Sequence, residues 1–254
     1  AQANDDILSR ITSAGRDAVD GLIQHYYFTQ TDWALNLGDA LLADAGTGFN
    51  QILTDIAQFR NGWDEAAHGA LEIAITEWGV SRHAEAQYGM PGAGAALEMF
   101  EGLLRMGADS ASAWPIELNA VNDLAGTHNR PDADTADLLT PIGEAFRLMG
   151  EHTIGLELYN NGFGSAERAV GSVEVNTFGS DERLVVFLSS RSTEAQAVSL
   201  DVSAYVNGFE AVSGVRIVQD DPGQGWNLPN LFARTEALDD GDFAAATTLD
   251  MTLG

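Results

Sequence analysis

Leu71-Glu72-Ile73-Ala74-Ile75-Thr76-Glu77-Trp78-Gly79 is the stretch on which the reading of this chain turns. Five of the residues from Leu71 to Trp78 are apolar, and the aliphatic part is short and β-branched. Such a run reads as a buried strand of a parallel sheet. A carboxylate and an indole close it, and Gly79-Val80 leads into a polar loop. In barrels of alternating strands and helices, the C-terminal ends of the strands carry the active site. Glu77 is therefore the candidate catalytic residue, as nucleophile or as general acid or base.

Two further strands flank this one: Val19 to Phe28 (VDGLIQHYYF) and Ser110 to Ile116 (SASAWPI). Apolar residues at helical spacing fill the interval from Trp33 to Phe59, interrupted at Gly46-Thr47-Gly48. A second helix is expected over Ala95 to Leu104, with Pro91-Gly92 before it and Gly107 after it. A last one is expected over Leu138 to Leu148, ending near Gly150. Alternating strands and helices imply parallel pairing with right-handed crossovers. Three strands do not close a barrel, so the first half reads as part of one or as an open sheet with unpaired edges. From about residue 152 the pattern changes to short runs: Ile154 to Leu158, Ser172 to Val175, Leu184 to Leu188, Ala197 to Val202 and Val215 to Val218. Turn residues such as Gly179-Ser180-Asp181 and Asp221-Pro222-Gly223 punctuate them, the mark of an antiparallel β-sandwich.

Composition narrows the function classes. The 254 residues are 45% hydrophobic, enough for a substantial core. Acidic residues number 38 against 12 basic ones, every one an arginine, and the formal net charge is −26. Such a surface repels nucleic acid and anionic membranes, so neither is an expected partner. Excess negative charge suits a salty medium, where screening tolerates it. Calcium binding is the sharper reading of the charge, but Asp132-Ala133-Asp134 and Asp239-Asp240-Gly241-Asp242 lack the spacing of a calcium loop. There is no cysteine, and the histidines at 25, 68, 83, 128 and 152 have no zinc-site spacing, so no metal and no cofactor are expected. No run approaches the length of about 18 apolar residues needed to span a bilayer. The start, Ala1-Gln2-Ala3-Asn4-Asp5-Asp6, lacks the basic and apolar parts of a signal peptide. The acidic, cysteine-free composition fits a secreted or periplasmic bacterial protein.

Candidate partners of Glu77 stand at neighbouring strand ends. His25, Tyr26 and Tyr27 close the first strand, and a tyrosine hydroxyl there can donate to the Glu77 carboxylate. Side chains alternate along a strand, so at most two of the three face the site; aromatic core packing is the ordinary alternative for each. Trp78 and Trp114 are candidates for stacking on the apolar face of a sugar, although a tryptophan is more often core. Glu117, just beyond the third strand, is a further candidate lining residue. No GxGxxG, phosphate loop or GxSxG elbow is present.

These residues carry a family resemblance. ITEWG, Ile75 to Gly79, resembles the nucleophile strand, the seventh, of clan A retaining glycoside hydrolases. QHYYF, Gln24 to Phe28, is similar to the sixth strand of that clan, and SASAWPI to the eighth. ELNAVNDLAG, Glu117 to Gly126, followed by a helix and a sandwich, resembles the arrangement in α-L-arabinofuranosidases. The resemblance covers most of residues 15–254. It implies Glu77 as nucleophile, Tyr26 or Tyr27 as its hydrogen-bonding aromatic, and Trp114 as the sugar-stacking tryptophan. The clan's acid/base is a Glu after an Asn on the fourth strand, and no Asn-Glu pair occurs here. It is expected upstream of residue 1, and FAAATTLDMTLG resembles the penultimate part of the sandwich. The expected fold is thus α/β plus all-β: a partial (β/α)8 TIM barrel over 1–151, followed by an antiparallel β-sandwich over 152–254. The expected function is the C-terminal part of a retaining glycoside hydrolase acting on a carbohydrate substrate. The competing expectation is a non-catalytic secreted carbohydrate-binding or adhesive module. The sequence assigns no oligomeric state.

Overall fold

A computed structural model describes residues 9–28, 61–83, 88–118, 122–126, 138–159, 169–170, 173–190, 194–208, 210–221, 223, 225, 228, 231–238 and 247–253. The expected helical interval from Trp33 to Phe59, both acidic clusters and His128 lie outside the described residues. Three parallel strands form the first sheet: β1 (Gly21–Phe28), β2 (Glu72–Val80) and β3 (Ser110–Ala113), in that spatial order. Two helices follow their strands, α1 (Met90–Arg105) and α2 (Pro141–His152). Ile73, Ile75, Trp78 and Val80 of β2 pack with Ala95, Met99 and Leu103 of α1 and Ile142 of α2 in one buried core.

The boundaries differ from the sequence expectation for local reasons. The third strand stops at Ala113 because Pro115 has no N–H to give to a ladder, and its peptide bond with Trp114 is cis. Helix α1 starts at Met90, five residues earlier than expected (95 − 90). Pro91 lies within its first turn, where a missing N–H costs no helical bond. Helix α2 starts behind Thr140, whose hydroxyl accepts from the Gly143 N–H at 3.1 Å, and it runs through Gly150 to His152.

The second half is built of short strands: β4 (Glu157–Leu158), β5 (Ala169–Val170), β6 (Val173–Gly179), β7 (Leu184–Ser190), β8 (Gln196–Asp201), β9 (Val215–Gln219), β10 (Ala233–Ala237) and β11 (Thr248–Leu253). All their pairings are antiparallel: β6 with β4, β5 and β7, β8 with β11, and β9 with β10. Val173 and Val175 of β6 share a core with Leu200 of β8 and Leu249 of β11, so two of these sheets meet face to face. The expected strand from Ile154 shrinks to Glu157–Leu158 because Gly155, at φ 77°, turns the chain first. The strand at Ala233–Ala237 was not expected; Arg234 and Glu236 break up its apolar pattern. Phe100 of α1 meets Phe178 of β6 at 5.9 Å between ring centroids, and Phe187 of β7 packs on Ala93, Leu97 and Met149. The helices therefore bury one face against the parallel sheet and another against the antiparallel strands.

Strand β2 carries one residue more than its neighbours. Gln24 pairs with Ile75, but His25 pairs with Glu77, and the same extra residue separates Ile75 from Trp78 opposite Ala111 and Ala113. Such a bulge places two successive side chains on one side. Before it Ile73 and Ile75 face the helices, and after it Trp78 and Val80 do. Thr76 and Glu77 face away from them, on the side of His25 and Tyr27.

Gly79 shows how closely the strand ends are packed: a Cβ there would lie 2.6 Å from the Trp114 carbonyl oxygen. Gly79→Ala is expected to destabilise the fold by about 1–3 kcal/mol, because backbone rather than a flexible side chain must move. Denaturant titration of the two proteins measures it. Coincident midpoints would show that the two strand ends are not packed this way.

Candidate active site

The C-terminal end of the parallel sheet gathers four polar side chains. The Tyr27 hydroxyl donates to Glu77 Oε2 at 2.7 Å. His25 Nδ1 lies 3.5 Å from the same oxygen, and His25 Nε2 lies 2.8 Å from Thr76 Oγ1. Strand pairing explains the gathering. His25 stands opposite Glu77, and Tyr27, two residues on, lies on the same face of β1. The group is open to solvent: the His25 and Glu77 side chains are 50% and 36% exposed.

Protonation follows from this geometry. Burial first, then the hydrogen bond and charge of Glu77, hold the Tyr27 phenol well above the usual tyrosine range. Tyr27 therefore keeps its proton and donates, and Glu77 Oε2 is the acceptor. Oε1 is the carboxylate oxygen that Tyr27 leaves for other contacts. Tyr26 is also raised, by burial alone, and it packs against the core under the sheet.

The structure thus separates the candidates named from the sequence. It brings His25, Tyr27 and Glu77 together. Tyr26 does not join them; alternation turns it towards the helices beside Trp78. Trp78 is corrected outright: it is 2% exposed and packs on Phe146 at 4.9 Å between ring centroids, so no sugar can stack on it. The physical reason is the bulge, which puts residues 76 and 77 together on the open face and so carries Trp78 onto the core side. Trp114 is 44% exposed, and its backbone N–H donates to the Trp78 carbonyl at 2.8 Å, which fixes it at the same end of the sheet. Glu117 is exposed on the loop beyond, between the exposed Ile116 and Leu118.

Two further residues contribute. Thr76 has the pattern of an ordinary strand residue, and its hydroxyl between Ile75 and Glu77 is the one local signal of its place at the site. Asn122 is buried and donates its amide to the Val80 carbonyl at 2.6 Å, pinning the loop after β3 to the end of β2. Asp123 Oδ2 accepts the Leu118 N–H at 3.0 Å, and the Thr140 hydroxyl donates to the Asp123 carbonyl at 3.0 Å. These bonds tie the loop after β3 to the end of β2 and to the start of α2. Among the described residues, no three His, Asp or Glu side chains converge as metal ligands.

No protein-family model matches the chain, and no curated protein matches it. Solved structures do. The chain is similar to a family 39 glycoside hydrolase from the gut symbiont Bacteroides cellulosilyticus WH2, with 13% identity and a TM-score of 0.50 over 98% of this chain and 46% of that one. It is likewise similar to a Paenibacillus polymyxa xyloglucanase from glycoside hydrolase family 44, with 12% identity and a TM-score of 0.51 over 98% of this chain and 48% of that one. The chain spans less than half the length of either structure. At these identities the likeness is one of fold: the chain is folded like a portion of these glycoside hydrolases.

The tyrosine assignment has a pH consequence. The native Tyr27 and Tyr26 hold their protons above the ordinary value of about 10, which the unfolded chain keeps. Their contribution to stability is intact below about pH 10 and is lost as pH rises through the native values. Tyr27→Phe removes one of the two groups, so the loss of stability above about pH 10 becomes shallower. Denaturation midpoints across that range test this, and an unchanged slope would mean that the native Tyr27 phenol is not held above its ordinary range.

Proposed function

We propose that this chain is the C-terminal portion of a retaining glycoside hydrolase, similar to the α-L-arabinofuranosidases, acting on glycosidic bonds of oligo- or polysaccharides. The observation that carries the reading is the Glu77 carboxylate at a parallel-strand end, oriented by the Tyr27 hydroxyl at 2.7 Å. The fold likeness to two glycoside hydrolases supports it. In this reading residues 1–151 supply strands six to eight of a TIM barrel, and 152–254 a β-sandwich. The protein is secreted or periplasmic, in keeping with its acidic, cysteine-free composition.

The chemistry then follows from which atoms are held. Tyr27 stabilises the negative charge on Oε2, and Oε1 attacks the anomeric carbon to form a covalent glycosyl ester. Trp114 offers an exposed aromatic face against which a sugar ring packs. A second carboxyl group, about 5–5.5 Å away, protonates the leaving oxygen and later activates the water that releases the sugar. In this reading that group comes from a strand upstream of residue 1.

Two outcomes test the proposal. This chain by itself is expected to turn over unactivated glycosides at least about 10²–10⁴-fold more slowly than a polypeptide that includes the acid/base strand. In that longer polypeptide, Glu77→Ala should abolish turnover of an activated aryl glycoside, and added azide should restore it with inverted product. Azide fits the space of the lost carboxylate and attacks from the same face. Ordinary activity in the Glu77→Ala protein would remove Glu77 from catalysis and favour the non-catalytic carbohydrate-binding reading.

A further inference from the structure

We infer that Thr76 is a positioning residue for the site: its hydroxyl donates to His25 Nε2 and holds the neutral imidazole with its proton on Nδ1, facing Glu77. A neutral imidazole has one N–H and one lone pair, and the partners of the two nitrogens decide where the proton sits. Glu77 Oε2 is an acceptor, already bonded by Tyr27 at 2.7 Å. His25 Nδ1 faces that oxygen at 3.5 Å, too far for a good hydrogen bond but close enough for the sign of the contact to matter. A lone pair on Nδ1 would meet negative charge, whereas an N–H there is attracted. With the proton on Nδ1, Nε2 can only accept. The partner 2.8 Å away is Thr76 Oγ1, a hydroxyl free to rotate its proton towards the ring.

The bulge makes this arrangement possible. Continued alternation would leave Thr76 facing away from the helices but carry Glu77 over to the side of Ile73 and Ile75. The extra residue puts threonine and glutamate side by side on the open face, opposite His25. Threonine is β-branched and stiff at χ1, so its hydroxyl is aimed more narrowly than a longer side chain's would be. Tyr27 and the His25 N–H then both address Oε2, and Oε1 remains for the anomeric carbon. The use made of Oε1 rests on the proposed hydrolase reading, while the tautomer does not.

The test uses this chain with 15N-labelled histidine and long-range 1H–15N correlation at a pH where the ring is neutral. The expected result is a predominant Nδ1–H tautomer for His25 in the native protein. Thr76→Val keeps the shape and loses the hydroxyl, and it should lower the ratio of Nδ1–H to Nε2–H at least about fivefold, the equivalent of one net hydrogen bond. Thr76→Ser should restore the native ratio. Glu77→Gln, which removes the charge, should also lower it. A predominant Nε2–H form in the native protein, or a Thr76→Val ratio equal to the native one, overturns the inference. In the longer polypeptide, Thr76→Val should reduce kcat about tenfold with KM little changed, and Thr76→Ser should recover it. An unchanged kcat would overturn the positioning role. The hydrolase reading fails separately, through retained activity in Glu77→Ala, and that result would leave the tautomer measurement standing.

Discussion

One extra residue in β2 sets the conditions for everything near Glu77. The core demands that this strand present apolar side chains to α1 and α2, and it does so with Ile73 and Ile75, then with Trp78 and Val80. Those pairs are out of phase with each other. The slip between them lets the strand stay buried on one side at both ends while two polar side chains emerge together on the other. With strict alternation Glu77 would follow Ile75 into the apolar layer. An unpaired carboxylate there costs several kcal/mol in desolvation, as a rough scale. The bulge removes that conflict, and through His25 and Tyr27 it gives the carboxylate its partners.

The rest of the sheet end holds this arrangement in place. Gly79 lets the Trp114 carbonyl approach the strand to a distance that no side chain would allow. Asn122 closes the Val80 carbonyl, and Thr140 ties the start of α2 to the same loop through the carbonyls of Asp123 and Leu124. Backbone groups that would otherwise be orphaned at a strand end are thus satisfied by side chains from the following loop and helix.

The acidic character of the chain makes the electrostatic choices at this site more consequential. With a net charge of −26, long-range potential alone disfavours another negative group. Local donors offset this. Tyr27 brings a hydroxyl that keeps its proton, and a neutral His25 can turn an N–H towards the carboxylate. Elsewhere the chain answers the same problem with arginine: Arg105 pairs with the buried Glu101, and Arg147 bridges Glu144 and Glu151.

The sequence by itself determined the three parallel strands, the helices after the second and third, the change to short antiparallel strands near residue 152, and the place of Glu77 at a strand end. Those features follow from local periodicity and turn chemistry, which act over a few residues. It also held the phase slip in plain view, with apolar residues at 73 and 75 and then at 78 and 80. Tertiary structure decided which side each residue took. Whether Tyr26 or Tyr27 met Glu77, and whether Trp78 was wall or core, depended on the register of β1 and β3 against a bulged strand. Register is a long-range property, set by packing against α1 and by Gly79 under the Trp114 carbonyl. The same holds for Thr76, whose hydroxyl gains a role only when a strand 51 residues away in the sequence brings His25 alongside.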